Sequence, residues 1–270
     1  MAGTTGLTGL LSVADTSTTA VDQTGFDLHH LIGTSTDPFS CTINGGGESF
    51  PSPAFESTNP VAIDKIAGLS FWTATFSGRY PRNAPVAGHE GFVTYANGTV
   101  DGCTGWSMTL NAGTYPNTAQ ASTPPVWMGY LPGEYSGSGS FDGNIDDTTA
   151  VTLVTSGAAT FRMNPATTVA NTLACGILIT GASPSVARGA KNKMAYTFDI
   201  DGNVTSAGDE SLFNAGPLVT PDITEIVLRA AGSRTFTGLA FLTSLTISAN
   251  IGSPIEVSGT LQGTGALTVA

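Results

Sequence analysis

Three histidines (His29, His30 and His89) and three cysteines (Cys41, Cys103 and Cys175) are the side chains most able to ligate a metal or attack an electrophile. Their spacing argues against both. A zinc site needs His or Cys at short fixed intervals, as in HExxH. His89-Glu90-Gly91-Phe92 lacks the second His, and adjacent His29 and His30 point to opposite sides of an extended chain. The cysteines are far apart and odd in number, which favours small buried thiols over a disulfide framework. Asp199-Ile200-Asp201-Gly202-Asn203 superficially resembles a calcium loop. Its Gly comes too early and no Glu closes the loop, so a hairpin turn is the better expectation.

Other chemistry is equally unsupported. A serine nucleophile needs a GxSxG elbow with a His and an acid, and Gly137-Ser138-Gly139-Ser140 has the wrong spacing. No Gly-rich phosphate cradle precedes a helix. Asp146-Asp147 face apart on an extended chain, and Asn97-Gly98-Thr99 and Asn203-Val204-Thr205 read as turns rather than glycosylation sites. The sequence therefore predicts no catalytic residue, no metal and no cofactor, which moves the expectation from enzyme toward assembly or binding protein.

Composition sharpens that expectation. The chain has 270 residues, of which only 11% are charged, with 20 acidic against 9 basic and a net charge of −11. Thr occurs 40 times and Gly 34 times. With 40% apolar residues and a mean hydropathy of +0.14, the chain has enough apolar side chains for a core. Coiled-coil composition is missing, and sequence-independent nucleic-acid binding would need clustered Lys and Arg. The first residues lack a basic and apolar leader, and the longest apolar runs, such as 239–245, are too short to span a bilayer as a helix. A soluble product made in the cytoplasm, without membrane contact, is expected.

These side chains must be positioned mainly by strands. Trp106-Ser107-Met108-Thr109-Leu110 places Trp, Met and Leu on one face and Ser and Thr on the other. Similar signals run through 69–76, 91–95, 134–141, 160–163, 174–180, 194–200, 223–229, 245–248, 255–258 and 267–269. Asn97-Gly98 and Asp201-Gly202 are expected to turn the chain. Short helices are predicted over 59–68, from Asn59, Pro60 and Gly68 as cap signals, near 142–147, and at 209–213. Gly45-Gly46-Gly47 and Pro51-Ser52-Pro53 predict loops, so residues 1–65 read as an extended N-terminal arm and 66–270 as a β domain. There is also an internal echo. Residues 106–111 resemble 245–250, and each is followed by Glu-x-Ser-Gly, at 134–137 and 256–259.

Further runs carry a family resemblance. Ser77-Gly78-Arg79-Tyr80-Pro81-Arg82-Asn83-Ala84-Pro85 leads to the strands at 91–94 and 106–110. Tyr135-Ser136-Gly137-Ser138-Gly139-Ser140-Phe141-Asp142-Gly143 follows, and then come Leu245-Thr246-Ile247 and Glu256-Val257-Ser258-Gly259-Thr260-Leu261-Gln262-Gly263-Thr264-Gly265-Ala266-Leu267. Together they resemble bacteriophage tail tube (major tail) proteins over residues 66–270. The resemblance implies an all-β, tail-tube-type β-sandwich or partial barrel with one or two short helices, its strands joining between subunits into a closed tube. It implies homo-hexameric rings, or trimeric rings imitating six if the echo is a duplication, stacked in the tail of a virion assembled in the host cytoplasm. Tape measure and tail completion proteins would be partners, and viral DNA a non-specific passenger. Glu134, Asp142 and Glu256 become candidate lumen-facing acids. Trp106, Tyr135, Phe141, Ile255, Val257 and Leu261 mark candidate tube strands or inter-subunit segments.

Two other classes compete. A carbohydrate-binding or adhesive β-sandwich of a virion fibre or decoration protein would need exposed Trp and Tyr beside acids, whereas Trp72, Trp106 and Trp127 sit in apolar patterns. A β-sandwich hydrolase would need a nucleophile, His and acid, which the chain does not bring together in sequence.

Overall fold

A computed structural model describes residues 10–13, 26–27, 40–52, 64–80, 93–96, 98–100, 102–117, 126–144, 156–162, 172–186, 188, 191–207, 224–229, 235–250 and 253–270. The strands are β1 (Leu10–Val13), β2 (Phe26–Asp27), β3 (Ser40–Ser52), β4 (Asp64–Tyr80), β5 (Val93–Tyr95), β6 (Gly98–Thr99) and β7 (Gly105–Pro116). They continue as β8 (Tyr130–Asn144), β9 (Ser156–Arg162), β10 (Thr172–Ser185), β11 (Lys193–Ala207), β12 (Thr224–Arg229), β13 (Thr235–Asn250) and β14 (Ile255–Val269). The protein is all-β, and no helix occurs among the described residues.

Every strand pairing is antiparallel. The main path runs β3-β4-β14-β13-β7-β8-β11-β10-β9-β5-β6. Strand β13 gives one whole edge to β14 and divides the other between β7 and β12, from which β1 and β2 branch. The two ends of the path, β3 and β6, do not pair with each other among the described residues, so the sheet is open.

The sheet nevertheless curls. Strands β7 and β9 lie four positions apart, about 19 Å in a flat sheet. Yet Trp106 of β7 and Phe161 of β9 have ring centroids 5.3 Å apart. Phe161 also stacks on Phe198 of β11 at 5.3 Å, and Phe198 neighbours Phe141 of β8 at 6.0 Å. The curl is what lets one apolar face bury itself without a helix layer. Alternation provides that face: in β7 Trp106, Met108 and Leu110 are buried, and in β13 Leu245, Ile247 and Ala249.

Glycine provides the space that bulky rings need. Phe198 lies opposite Gly139, Phe76 opposite Gly259 and Phe71 opposite Gly46. A Cβ on those glycines would sit 2.4, 2.5 and 2.5 Å from the facing ring. The Trp72 ring occupies the same kind of seat on Gly263, and its indole Nε1 donates to the Gly265 carbonyl at 3.1 Å. Rings laid on strand glycines bury aromatic area that a Cβ would displace.

Several sequence expectations are corrected. The helix predicted over 59–68 is not formed where it is described, since Asp64 opens β4; residues 59–63 lie outside the described residues. Gly68 is no helix cap but the seat of the Phe50 ring, which a Cβ there would approach to 2.6 Å. Of the helix expected near 142–147, Asp142–Asn144 belong to β8 and the rest lies outside the described residues, as does 209–213. Gly45–Gly47 and Pro51 lie within β3, not in a loop. An edge strand tolerates Pro, and Gly46 accommodates Phe71. Residues 1–65 therefore contribute β1, β2 and β3, each paired, and β4 crosses the 65/66 boundary.

Two expected turns also shift. Asp201-Gly202 does not reverse the chain: β11 runs through it with Gly202 at a φ of +89°. There the register jumps from Gly176–Asp201 to Ala174–Thr205, a bulge rather than a hairpin. The β5–β6 hairpin exists, but Tyr95 pairs with Gly98, so the turn falls one residue earlier, with Ala96 at a φ of +49°.

Candidate functional site

The side of the sheet away from the core carries an unusual surface. Cross-strand register aligns Ser77, Ser258, Thr246, Thr109, Ser138 and Asp199 in one row across β4, β14, β13, β7, β8 and β11. A second row contains Thr42, Thr75, Thr260, Ser244, Asn111 and Ser136. A third contains Glu256, Ser248, Ser107, Ser140 and Thr197. None of these residues is buried. They share the face because side chains alternate along each strand and no bulge interrupts the aligned stretches. Hydroxyls hydrogen-bond one another across strands, Thr109 with Thr246 at 3.1 Å and Ser107 with Ser140 at 3.0 Å.

At one margin this face dips into a depression of about 310 Å³, lined by Thr104, Ser107, Ser140, Asp142, Ser248 and Asn250 among others. Asp142 organises its rim. Its Oδ1 accepts from the backbone N–H of Thr104 at 2.6 Å and of Gly105 at 2.8 Å, and its Oδ2 accepts from the Thr104 hydroxyl. The Lys193 ammonium lies 3.5 Å from Oδ2 and donates to Thr104 Oγ1 at 3.0 Å. Burial pushes the carboxyl pKa up, but the Thr104 and Gly105 hydrogen bonds and Lys193 outweigh it, so the net shift is downward. Asp142 is thus a clamp between β8, the chain before β7 and β11.

The thiols of Cys103 and Cys175 are placed for packing, not reaction. Burial, then the Asp142 charge, pushes the Cys103 thiol up to about 11, and its Sγ donates to the Gly105 carbonyl at 3.5 Å. Burial pushes Cys175 up to about 11 as well. A thiol that high is almost wholly protonated at neutral pH and a poor nucleophile. No group of three or more His, Cys, Asp or Glu residues forms a metal-binding cluster among the described residues. His29, His30, His89 and the Asp146-Asp147 pair lie outside the described residues.

The residues singled out in the sequence fall into two sets. Glu134, Asp142 and Glu256 all belong to the hydroxyl face by strand alternation, Glu134 and Glu256 exposed and Asp142 clamped. Trp106, Phe141, Ile255, Val257 and Leu261 are buried in the core of the single chain. Tyr135 is half-buried on the same inner side. Burial, followed by the neighbouring Cys175, raises its phenol pKa, and its hydroxyl has no hydrogen-bond partner among the described residues. The segments that bear them do run side by side, in the order β8-β7-β13-β14. The two echoing segments pair with each other, Met108 opposite Ile247 and Trp106 opposite Ala249. The Glu-x-Ser-Gly segments are not equivalent: Glu256 faces Ser248, whereas Glu134 lies beyond the paired Tyr135, at the Gly113 bulge.

Sequence reasoning missed where exposed apolar side chains gather. Phe50, Tyr115, Leu131 and Val269 lie toward the end of the sheet where β4 starts and β7 and β14 finish, while Phe71 and Leu239 flank the buried Trp72 and Ala240 and face outward by alternation. Val186 lies at the opposite end, just past β10. Strands β7 and β10 show the reason: their alternating burial stops at Leu110 and Ile179 while pairing continues. Strand lengths well beyond the usual five or six residues were the available signal.

No helix among the described residues is long and apolar enough to cross a membrane. Trp72 and Trp106 are buried and Trp127 is half-buried, so they form no exposed aromatic platform. Compared with models of protein families the chain matches none, and among curated proteins it has no match.

Proposed function

We propose that this chain is a structural subunit that assembles with copies of itself into a hollow tube, the tail tube of a long-tailed bacteriophage. The observation that carries the reading is the placement of exposed apolar side chains on strand ends that extend past the core. A monomer gains nothing from leaving Tyr115, Leu131 and Val269 in water, whereas a neighbour covering them restores the hydrophobic gain. Among the described residues the sheet is open with the 13-residue β3 at its edge, which supports the same reading, because unpaired edges are usually protected or used. Few charges suit a subunit whose surface becomes interface.

In this reading, subunits form rings, the rings stack, and DNA passes through the bore as a passenger. Tape measure and tail completion proteins set the length and the end of the tube. The test is negative-stain microscopy of the purified chain across a concentration series. Hollow tubes of uniform diameter are the expected result. A chain that stays monomeric at every concentration, with and without tail partner proteins, overturns the proposal.

A further inference from the structure

We infer that residues 126–130 are a removable spacer strand that props open the seam between β4 and β14, and that its docking sets where the β3–β4 ribbon presents Phe50 and Phe71. The ladder between β4 and β14 runs from Ile255–Tyr80 to Gln262–Thr73 and stops there. The next two residues still touch, because the Trp72 ring lies on Gly263 just as the Phe76 ring lies on its paired Gly259. Past that point the strands part, and residues 126–130 fill the gap. The Ser70 N–H donates to the Val126 carbonyl at 2.8 Å, and the Ser70 carbonyl accepts from the Met128 N–H at 2.7 Å. Ser70 and Trp127 thereby form a parallel bridge. On the other side the Gly265 N–H donates to the Met128 carbonyl at 2.9 Å. The Tyr130 N–H donates to Thr264 Oγ1 at 2.9 Å, and that hydroxyl donates back to the Tyr130 carbonyl at 3.0 Å.

Met128 stands where β4 and β14 would otherwise meet. The register continued past Gln262–Thr73 places Thr264 opposite Phe71 and Gly265 opposite Ser70. The Ser70 N–H and C=O and the Gly265 N–H all point into the gap. With the spacer gone, the Gly265 N–H faces the Ser70 carbonyl. The seam can satisfy its main chain with the spacer in or out, which makes it a two-state element. Strand β14 holds the slack that such a change needs. Gly265 and Ala266 are left out of the ladder with β13, which jumps from Leu239–Thr264 to Gly238–Leu267, and Gly265 has a φ of +78°. The spacer's one large apolar anchor, Trp127, is only half-buried against the core. Among the described residues β3 pairs with β4 alone. Closing the seam by one strand spacing, about 4.8 Å, therefore carries the end of β3 and the start of β4 with it. Phe50 and Phe71 are exposed on that ribbon, so a neighbouring copy meets them in a different place. This last step rests on the tube reading.

Residue-resolved amide hydrogen exchange on the unassembled subunit tests the spacer. Met128→Pro removes the N–H given to Ser70 and is expected to free residues 126–130. The Ser70 and Gly265 amides should stay within ~10-fold of their parental protection, because they turn to each other. If the segment stays protected, or if both amides lose protection with it, the segment is a fixed strand and the inference falls. Where Met128→Pro does not fold, Thr264→Val, which deletes the hydroxyl shared with Tyr130, is read instead. Exchange within 126–130 should then rise at least ~10-fold with the Ser70 and Gly265 amides unchanged. No rise, or a rise in all of them together, overturns the spacer. Assembly is read separately by sedimentation. Where the parent forms tubes, the spacer variant is expected to need several-fold more protein to form them. Tubes at the parental concentration overturn the presentation of the ribbon. A parent chain that forms no tubes overturns the tube reading and that presentation with it, while hydrogen exchange alone decides the spacer.

Discussion

Asp142 shows how much one short side chain can organise. It accepts from two backbone N–H groups and a hydroxyl and pairs with a lysine on a third segment. Asp142→Ala leaves those donors to water and is expected to cost about 2 kcal/mol, read by urea denaturation. The sign of its pH dependence follows from the lowered pKa. The stabilisation is present above the unfolded carboxyl value of about 4 and disappears as pH falls through the lower folded value. Asp142→Asn should therefore flatten the stability profile below about pH 4 relative to the parent. An unchanged profile would mean that the clamp contributes no pH-linked stability. Tyr135 predicts the opposite direction. Its buried hydroxyl lacks a partner among the described residues, so Tyr135→Phe should be neutral or stabilising by up to ~1 kcal/mol in the same assay.

At the scale of elements, the glycines make the sharper prediction. A Cβ at Gly259 would meet the Phe76 ring at 2.5 Å and the Ser244 carbonyl at 2.8 Å, while a Cβ at Gly45 would meet nothing within 4 Å. Gly259→Ala is expected to lower stability by about 1–3 kcal/mol, and Gly45→Ala to leave it unchanged or slightly higher. Equal effects in thermal melts would refute the role of glycine as a ring seat. The same residues explain what was legible in the sequence. Where apolar residues alternate with Ser and Thr, as in 106–110 and 245–248, both strand and buried face follow from period two. Where glycine replaces a side chain to admit a ring from the next strand, the local signal is that of a loop, which is why the sequence of β3 predicts one. The start of β4 imitates helix capping because Asn59, Pro60 and Gly68 have helix-end chemistry, but Gly68 is there for Phe50. The Asp142 clamp was illegible for another reason: Thr104 lies 38 residues away in sequence, and only sheet order brings it near.

Long-range electrostatics and apolar contact make opposing demands on the whole molecule. Each chain carries a net charge of −11, so copies repel, while the exposed side chains at the strand ends favour contact. Repulsion between exposed charges is screened over about 30 Å at 0.01 M salt but over about 8 Å at 0.15 M. Apolar contact is not weakened by that change. Assembly of the parent chain should therefore be promoted by salt, with more protein in tubes at about 150 mM than at about 10 mM NaCl. Tyr115→Ser/Leu131→Ser should leave the subunit folded, since both side chains are exposed, yet raise the concentration needed for assembly at every salt. Light scattering and sedimentation measure both effects, and circular dichroism checks the fold. If added salt dissolves the tubes instead, subunits are held by opposite charges, and the strand ends are not what joins them.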